Sequence, residues 1–374
     1  MRSVGKFAYP LSFSLACFRN RVEKLISSHS SLFKLIRFSF FVFFLVGAPA
    51  LAMDGLTSNA QVLFAQGLMR EHKWGEAAQV YQSLLVNYPG NVYLVQELAT
   101  ALVFQGRRLE GVSLLLDLSG KASKASKYNE SLTKELERKL GVLSRTFLTN
   151  QSFERYQEAV NLLESKKFAQ AESGFLKVLQ AEPHHLEAVL KIAQCLIWQG
   201  KYDEAIEYLG QKKAWASFAP EISQWLGRAL FLKASSPQSA QKAVVELRAA
   251  LSKTQGSQEL VVWLAQAYVS AGQTQYALNL LDRDVQARPF HIVSLLTSAK
   301  IKAQIARGDL PLLWSARKDL QLALSRLGDE HSDEVVRVYE LTQGERRKLE
   351  EIRTDFQKLL QQIQSLLEEQ SARS

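Results

Sequence analysis

The residues that come nearest to a reactive or ligating centre are His184 and His185, adjacent and directly after Pro183. Neighbouring imidazoles in a turn could share a metal ion. A four-ligand site needs more, and neither a cysteine nor a regularly spaced carboxylate completes the set. No stretch matches a phosphate-binding loop, a Gly-rich dinucleotide turn, HExxH or GxSxG. The acidic residues are interspersed with lysines and arginines at helical spacing, as on solvated helix faces, and no paired carboxylates mark a hydrolytic cleft. Cys195 falls on the buried side of a helical pattern and reads as a packing residue. The expectation is a protein that is not an enzyme, has no cofactor and no metal, and works by binding.

The elements that would position binding residues are clearest in residues 186–210, LEAVLKIAQCLIWQGKYDEAIEYLG. Val189, Ile192, Ala193 and Leu196 share one helical face, and Tyr202, Ala205, Ile206 and Leu209 share another. Gly200 lies between them, where a residue without Cβ accepts positive φ. Ala193 and Ala205 let two antiparallel helices cross closely. One such hairpin leaves an apolar face uncovered and needs copies beside it.

The copies follow at a spacing close to the roughly 34 residues of the tetratricopeptide repeat. The small residue of the first helix recurs as Ala65, Ala99, Ala159, Ala193, Gly227, Ala265 and Ala299. That of the second recurs as Ala77, Gly111, Ala171, Ala205, Ala243, Ala277 and Ala316. Pro89, Pro183 and Pro289 close three units, since proline cannot continue a helix. With the segments KWGEAAQVYQSLLVNYP, KKFAQAESGFLKVLQAEP and GKYDEAIEYL, residues 58–327 resemble the tetratricopeptide-repeat family. The resemblance implies an all-α, right-handed solenoid of about seven hairpins, ending here in a C-terminal amphipathic helix. It implies a shared fold and no shared reaction.

Residues 1–37 are rich in Ser, Lys and Arg and run into FSFFVFFLVG and APALA. A basic region, an apolar core and small residues at Ala50 and Ala52 predict an export signal removed after Ala52, with the mature chain in the periplasm. The alternative is an uncleaved membrane anchor, although Pro49 interrupts the apolar run well short of the about 20 residues a span needs. The length of the basic part leaves two explanations open, a translation start near Leu32 or a transit peptide before the export signal. Residues 1–52 carry seven of the 46 basic and one of the 37 acidic residues, so the remainder holds 39 against 36, a formal +3. Most of the basicity belongs to targeting, and nucleic acid is not an expected partner.

Five regions follow: the leader at 1–52, a first repeat block at 53–118, a linker with an extra helix at 119–151, a second block at 152–328, and a tail at 329–374. Phe64, Leu68, Trp74, Tyr81 and Leu84 are the expected core of the first unit. In the linker, 119–127 reads as a loop, and Leu132, Leu136, Leu140, Leu143 and Phe147 as a helix, either packed between the blocks or serving as a hinge or docking element. Inserts at KASSPQSAQ and ARGDLPLLW are expected to lengthen turns. In the tail, Leu349, Phe356 and Ile363 lie seven apart, as do Ile352, Leu359 and Leu366. Leu360 and Leu367 widen that stripe, which suits a cap on the solenoid or a homo-oligomeric coiled coil.

If the fold follows the family, the first helices line a concave groove. The residues facing it would be Tyr93, Gln96, Thr100, Phe104, Tyr156, Val160, Gln194, Trp198 and Gln266, a site for a partner protein or peptide. Relatives that clamp a chaperone's C-terminal carboxylate use Lys at positions here held by Val62, Gln96, Tyr156, Leu190 and Val262, which argues against such a clamp. The expected function is an exported scaffold or adaptor in a cell-envelope assembly, with no membrane span after signal cleavage. The alternative is a structural spacer in an envelope export machine such as one for polysaccharide secretion.

Overall fold

A computed structural model describes residues 59–124, 130–254, 257–306, 309–327, 332–343 and 347–373. The predicted leader lies outside them, as do residues 125–129. The described residues form an all-α solenoid. The first helices are α1 (Asn59–Arg70), α2 (Trp74–Asn87), α3 (Val92–Phe104), α4 (Arg108–Lys124) and α5 (Glu130–Arg145). The middle holds α6 (Asn150–Glu164), α7 (Phe168–Ala181), α8 (Leu186–Trp198), α9 (Tyr202–Lys213), α10 (Pro220–Lys233) and α11 (Pro237–Ser252). The chain ends with α12 (Gln258–Ser270), α13 (Thr274–Ala287), α14 (Ile292–Ile305), α15 (Leu310–Arg326), α16 (Ser332–Gln343) and α17 (Leu349–Arg373). No helix among the described residues is long and apolar enough to cross a membrane.

One turn chemistry builds the hairpins. Between α1 and α2, α3 and α4, α6 and α7, α8 and α9, and α12 and α13, the chain needs three residues, the middle one left-handed: His72 (φ 60°), Gly106 (92°), Lys166 (59°), Gly200 (75°) and Gly272 (74°). In each, the third residue's N–H reaches back across the helix end, as in Lys201 to Leu196 O (2.9 Å) and Arg107 to Leu102 O (2.8 Å). These paired bonds satisfy carbonyls that a helix end leaves open. Two turns between units also carry a left-handed residue after proline, Gly90 (82°) and His184 (62°).

Both series of small residues are buried where the helices cross. The contact is tightest at Gly111, where a Cβ would stand 2.5 Å from the Ala99 carbonyl oxygen. Each second helix packs on the next first helix, from α2 on α3 through α13 on α14, and from α3–α4 onward the two helices of a hairpin pack on each other. After α4 that next helix is α5, which also touches α8 on the inner side. The hairpin α6–α7 is then inserted, and α7 resumes the regular packing on α8. A buried ion pair fastens this break in the repeat. Arg108 Nη2 reaches Glu182 Oε2 (3.1 Å), and Glu182 Oε1 accepts the N–H groups of Leu148 (2.9 Å) and Thr149 (3.2 Å).

Several expectations need correction. Residues 119–124 are the last turns of α4 rather than a loop. The insert before α11 lengthens the helix, to 16 residues against 14 in α7 and α13, and leaves a three-residue turn, because Ser236 caps the helix and Pro237 starts it. The α15 helix likewise runs to 17 residues, capped by Asp309. Phe64 is 60 % exposed on α1, whereas Leu68, Tyr81 and Leu84 are core. At the C-terminus α17 packs on α15, burying Ile352, Phe356 and Ile363 completely, while α16 lies against α12 and α14.

Candidate functional site

The first helices form one layer, with α8 beside α10, α10 beside α12 and α12 beside α14. Successive repeats place equivalent residues in rows across it. Six residues before the small residue the row reads Glu187, Glu221, Glu259, and one residue after it the row reads Gln194, Arg228, Gln266, Lys300.

Two helices that belong to no hairpin reach into this layer. Arg145, at the end of α5, places Nε 2.7 Å from Glu187 Oε1 and Nη2 2.7 Å from Glu221 Oε1, tying α8 to α10. From α16, Arg337 Nη1 lies 3.4 Å from Glu259 Oε1, and the Leu341 carbonyl accepts the Trp263 indole N–H at 3.3 Å. Between them a cavity of about 420 Å³ remains, with Leu190, Trp225 and Leu341 as apolar walls and Lys191, Gln194, Gln224, Glu187, Glu221 and Glu259 around it. A larger hollow of about 1040 Å³ lies on the α6–α7 hairpin, lined by Arg155, Glu158, Leu162, Ser173 and Lys177, with none of these rows converging on it.

The expected groove residues divide. Gln194 lines the cavity, Trp198 is half-buried one turn further on, and Gln266 Oε1 accepts from Arg228 Nη1 (3.3 Å). Gln96 and Thr100 are not open to a partner, which corrects the expectation, and the other four are half-buried beside the chain's own side chains. Gln96 and Thr100 are buried at the α3–α5 contact: Gln96 Nε2 donates to Glu135 (3.2 Å), and the neighbouring Glu97 pairs with Lys139 (3.1 Å). Phe104 stacks on Trp74 with centroids 4.8 Å apart, and Tyr93 Oη accepts from Gln66 (2.7 Å). Tyr156 packs between Phe147 (5.1 Å) and Phe175 (5.4 Å), and Val160 belongs to the same core. At Gln96 the register is filled by the chain's own α5, while Tyr93, Phe104, Tyr156 and Val160 keep part of their surface, as Trp198 does.

The histidines have structural roles. His185 is fully buried and caps α8: Nδ1 accepts the Ala188 N–H (3.4 Å), while Nε2 meets the Arg145 carbonyl (3.0 Å). Those partners require the neutral ring with its proton on Nε2. Burial, with Arg108 and Arg145 nearby, holds its pKa down to about 3. His184 supplies the left-handed turn residue and sets its ring edge-on to Trp215 (5.3 Å). No group of three metal-ligating residues occurs among the described residues. Burial pushes the Cys195 thiol up to about 12, which removes the thiolate that reactivity needs.

The left-handed turns, the buried small pairs and the helix order meet one family pattern, and residues 154–224 match the model of the tetratricopeptide repeat. This segment is tetratricopeptide repeat. The hairpins on either side of it keep the same register of small residues and the same turn, so the repeat describes the architecture around it. Tetratricopeptide repeats are interaction scaffolds, in general without catalytic activity. No curated protein matches the chain. Among solved structures it is similar to a thermophilic TPR protein of Thermus thermophilus, at 17 % identity over 51 % of this chain and 98 % of that one, with a TM-score of 0.41. It is similar to MamA, at 22 % identity over 45 % and 93 %, with a TM-score of 0.37. A tetratricopeptide repeat protein from Parabacteroides merdae is similar at 12 % identity over 77 % and 100 %, with a TM-score of 0.38.

Sequence reasoning missed Arg228 and Lys300, although both stand in the row that yielded Gln194 and Gln266, and the glutamate row, although it is the row of Tyr93. Reading each register through every repeat would have found them.

Proposed function

We propose that this chain is a non-catalytic scaffold that holds a polypeptide segment of a partner protein in the groove of α8, α10 and α12. The observation that carries the reading is the 420 Å³ cavity, where side-chain amides of Gln194 and Gln224 stand beside the walls of Leu190, Trp225 and Leu341. Amides both donate to and accept from a peptide backbone, and aromatic anchors supply much of the energy of protein contacts. The setting we assign is a cell-envelope assembly, with residues 1–52 as the export signal, cleavage after Ala52 and the folded part in the periplasm. The basic stretch, apolar core and small residues of that segment support it, and retention of the segment as an anchor is the alternative.

A second reading, a spacer within an envelope export machine, draws support from α5 and α16, which occupy much of the inner layer and leave a short groove. The two separate in a crosslinking pull-down from the native compartment, with wild type beside a Gln194→Trp, Gln224→Trp variant that fills the cavity. Loss of an anchoring contact costs about 2 kcal/mol, roughly thirtyfold in affinity, so partners held in the groove drop out of the filled variant. Equal recovery from both proteins would put the contacts at the ends of the stack and leave the spacer.

A further inference from the structure

Arg228, on α10, is only 4 % exposed. Its guanidinium lies 5.3 Å from the Phe231 ring centre and 5.1 Å from that of Trp263; Nη1 donates to Gln266 Oε1 (3.3 Å), and Nε has no partner. No carboxylate stands within ion-pair distance of it among the described residues. The other buried cations have one: Arg108 pairs with Glu182, Lys139 with Glu97 and Lys302 with Asp319. Removing a charge from water without a counter-ion is costly. The two rings and one amide offset that cost only in part.

Arg228 does not itself line the cavity but lies next to it. Arg228 stands one turn along α10 from Gln224 and Trp225, which line the groove cavity, and in the same row as Gln194 and Gln266. The glutamate row of the groove is already engaged by Arg145 and Arg337. The guanidinium is thus the one buried charge in this part of the groove that the described residues leave without an opposite.

We propose that Arg228 receives the carboxylate of an aspartate or glutamate side chain in the middle of the segment bound in the groove. This rests on the groove reading and adds the chemistry of its occupant. A side chain fits better than a chain terminus because amides flank the arginine on both sides, from Gln194 and Gln224 to Gln266. A backbone continuing in both directions meets all of them, and a terminus meets them on one side only.

The test titrates the full chain with a blocked five-residue peptide carrying a central glutamate, its glutamine counterpart, and an alanine peptide with a free C-terminal carboxylate. Charge-assisted hydrogen bonds predict that the glutamate peptide binds about tenfold tighter than the glutamine one, and that Arg228→Gln abolishes the difference. Equal binding of the first two by wild type, or preference for the free terminus, would overturn the assignment. Folding provides an independent readout: Arg228→Met removes an unpaired buried charge and raises Tm, whereas a fall in Tm marks an arginine kept for structure and counts against a receptor. Crosslinking of the native partner from the groove bears on the scaffold reading alone. If the partner is still captured there while the glutamate preference is missing, the carboxylate assignment fails and the scaffold stands. If the glutamate preference is present but no partner is captured at the groove, the scaffold reading fails and the receptor assignment, which rests on it, falls with it.

Discussion

At the scale of single residues, His185 shows how a side chain with the chemistry of a ligand becomes part of the frame. It caps α8 as Asn91 caps α3, whose side chain accepts the Leu94 N–H at 3.1 Å. Burial, with the Arg108 charge nearby, makes the folded protein resist protonation of the ring, and its pKa falls from 6.5 to about 3. Its contribution to stability is therefore full above about pH 6.5 and is lost as the pH falls toward about 3, at about 1.4 kcal/mol per pH unit. Urea unfolding at pH 7 and pH 5 checks this. Wild type should lose more stability between the two than His185→Asn, which caps without titrating. His184 shifts in the same direction but is common to both proteins, so the difference isolates His185.

At the scale of elements, five turns share one geometry while only three have glycine at its left-handed position. His72 and Lys166 hold positive φ without that freedom, at a cost of about 1 kcal/mol each. Lys166→Gly should raise stability by about that amount in chemical unfolding, and Gly200→Ala should lower it similarly. The turns and the buried small pairs were legible in the sequence because steric limits dictate them: Gly111 and Ala193 stand where a larger side chain would collide with a crossing helix. The groove was less legible. Gln96 shares the residue type of Gln194 and Thr100 its register, and whether such a position meets a partner or the chain's own α5 depends on a helix outside the repeat. Tyr156 keeps only part of its surface for a related reason, since Phe147, which packs on it, comes from the turn before α6. Periodicity reports which face of a helix turns inward; it says nothing of what stands opposite.

At the scale of the molecule, the stack needs its last helix. Ile352, Phe356 and Ile363 are fully buried in the core that α17 shares with α14 and α15. Each contributes about 1.5–3 kcal/mol by leaving water. A chain truncated before Leu349 should therefore aggregate in light scattering, because α15 would present an uncovered apolar face. A truncated chain that stays a stable monomer where the full chain is a dimer would assign α17 to association instead. The junction near α5 has a consequence for the order in which the chain folds. A hairpin closes through contacts only a few residues apart across its turn, whereas Arg108 and Glu182 are separated by 74 residues. Closing the longer loop costs more chain entropy and is rewarded only when both ends are already shaped. The hairpins of the two repeat blocks are therefore expected to form before the buried ion pair closes between them.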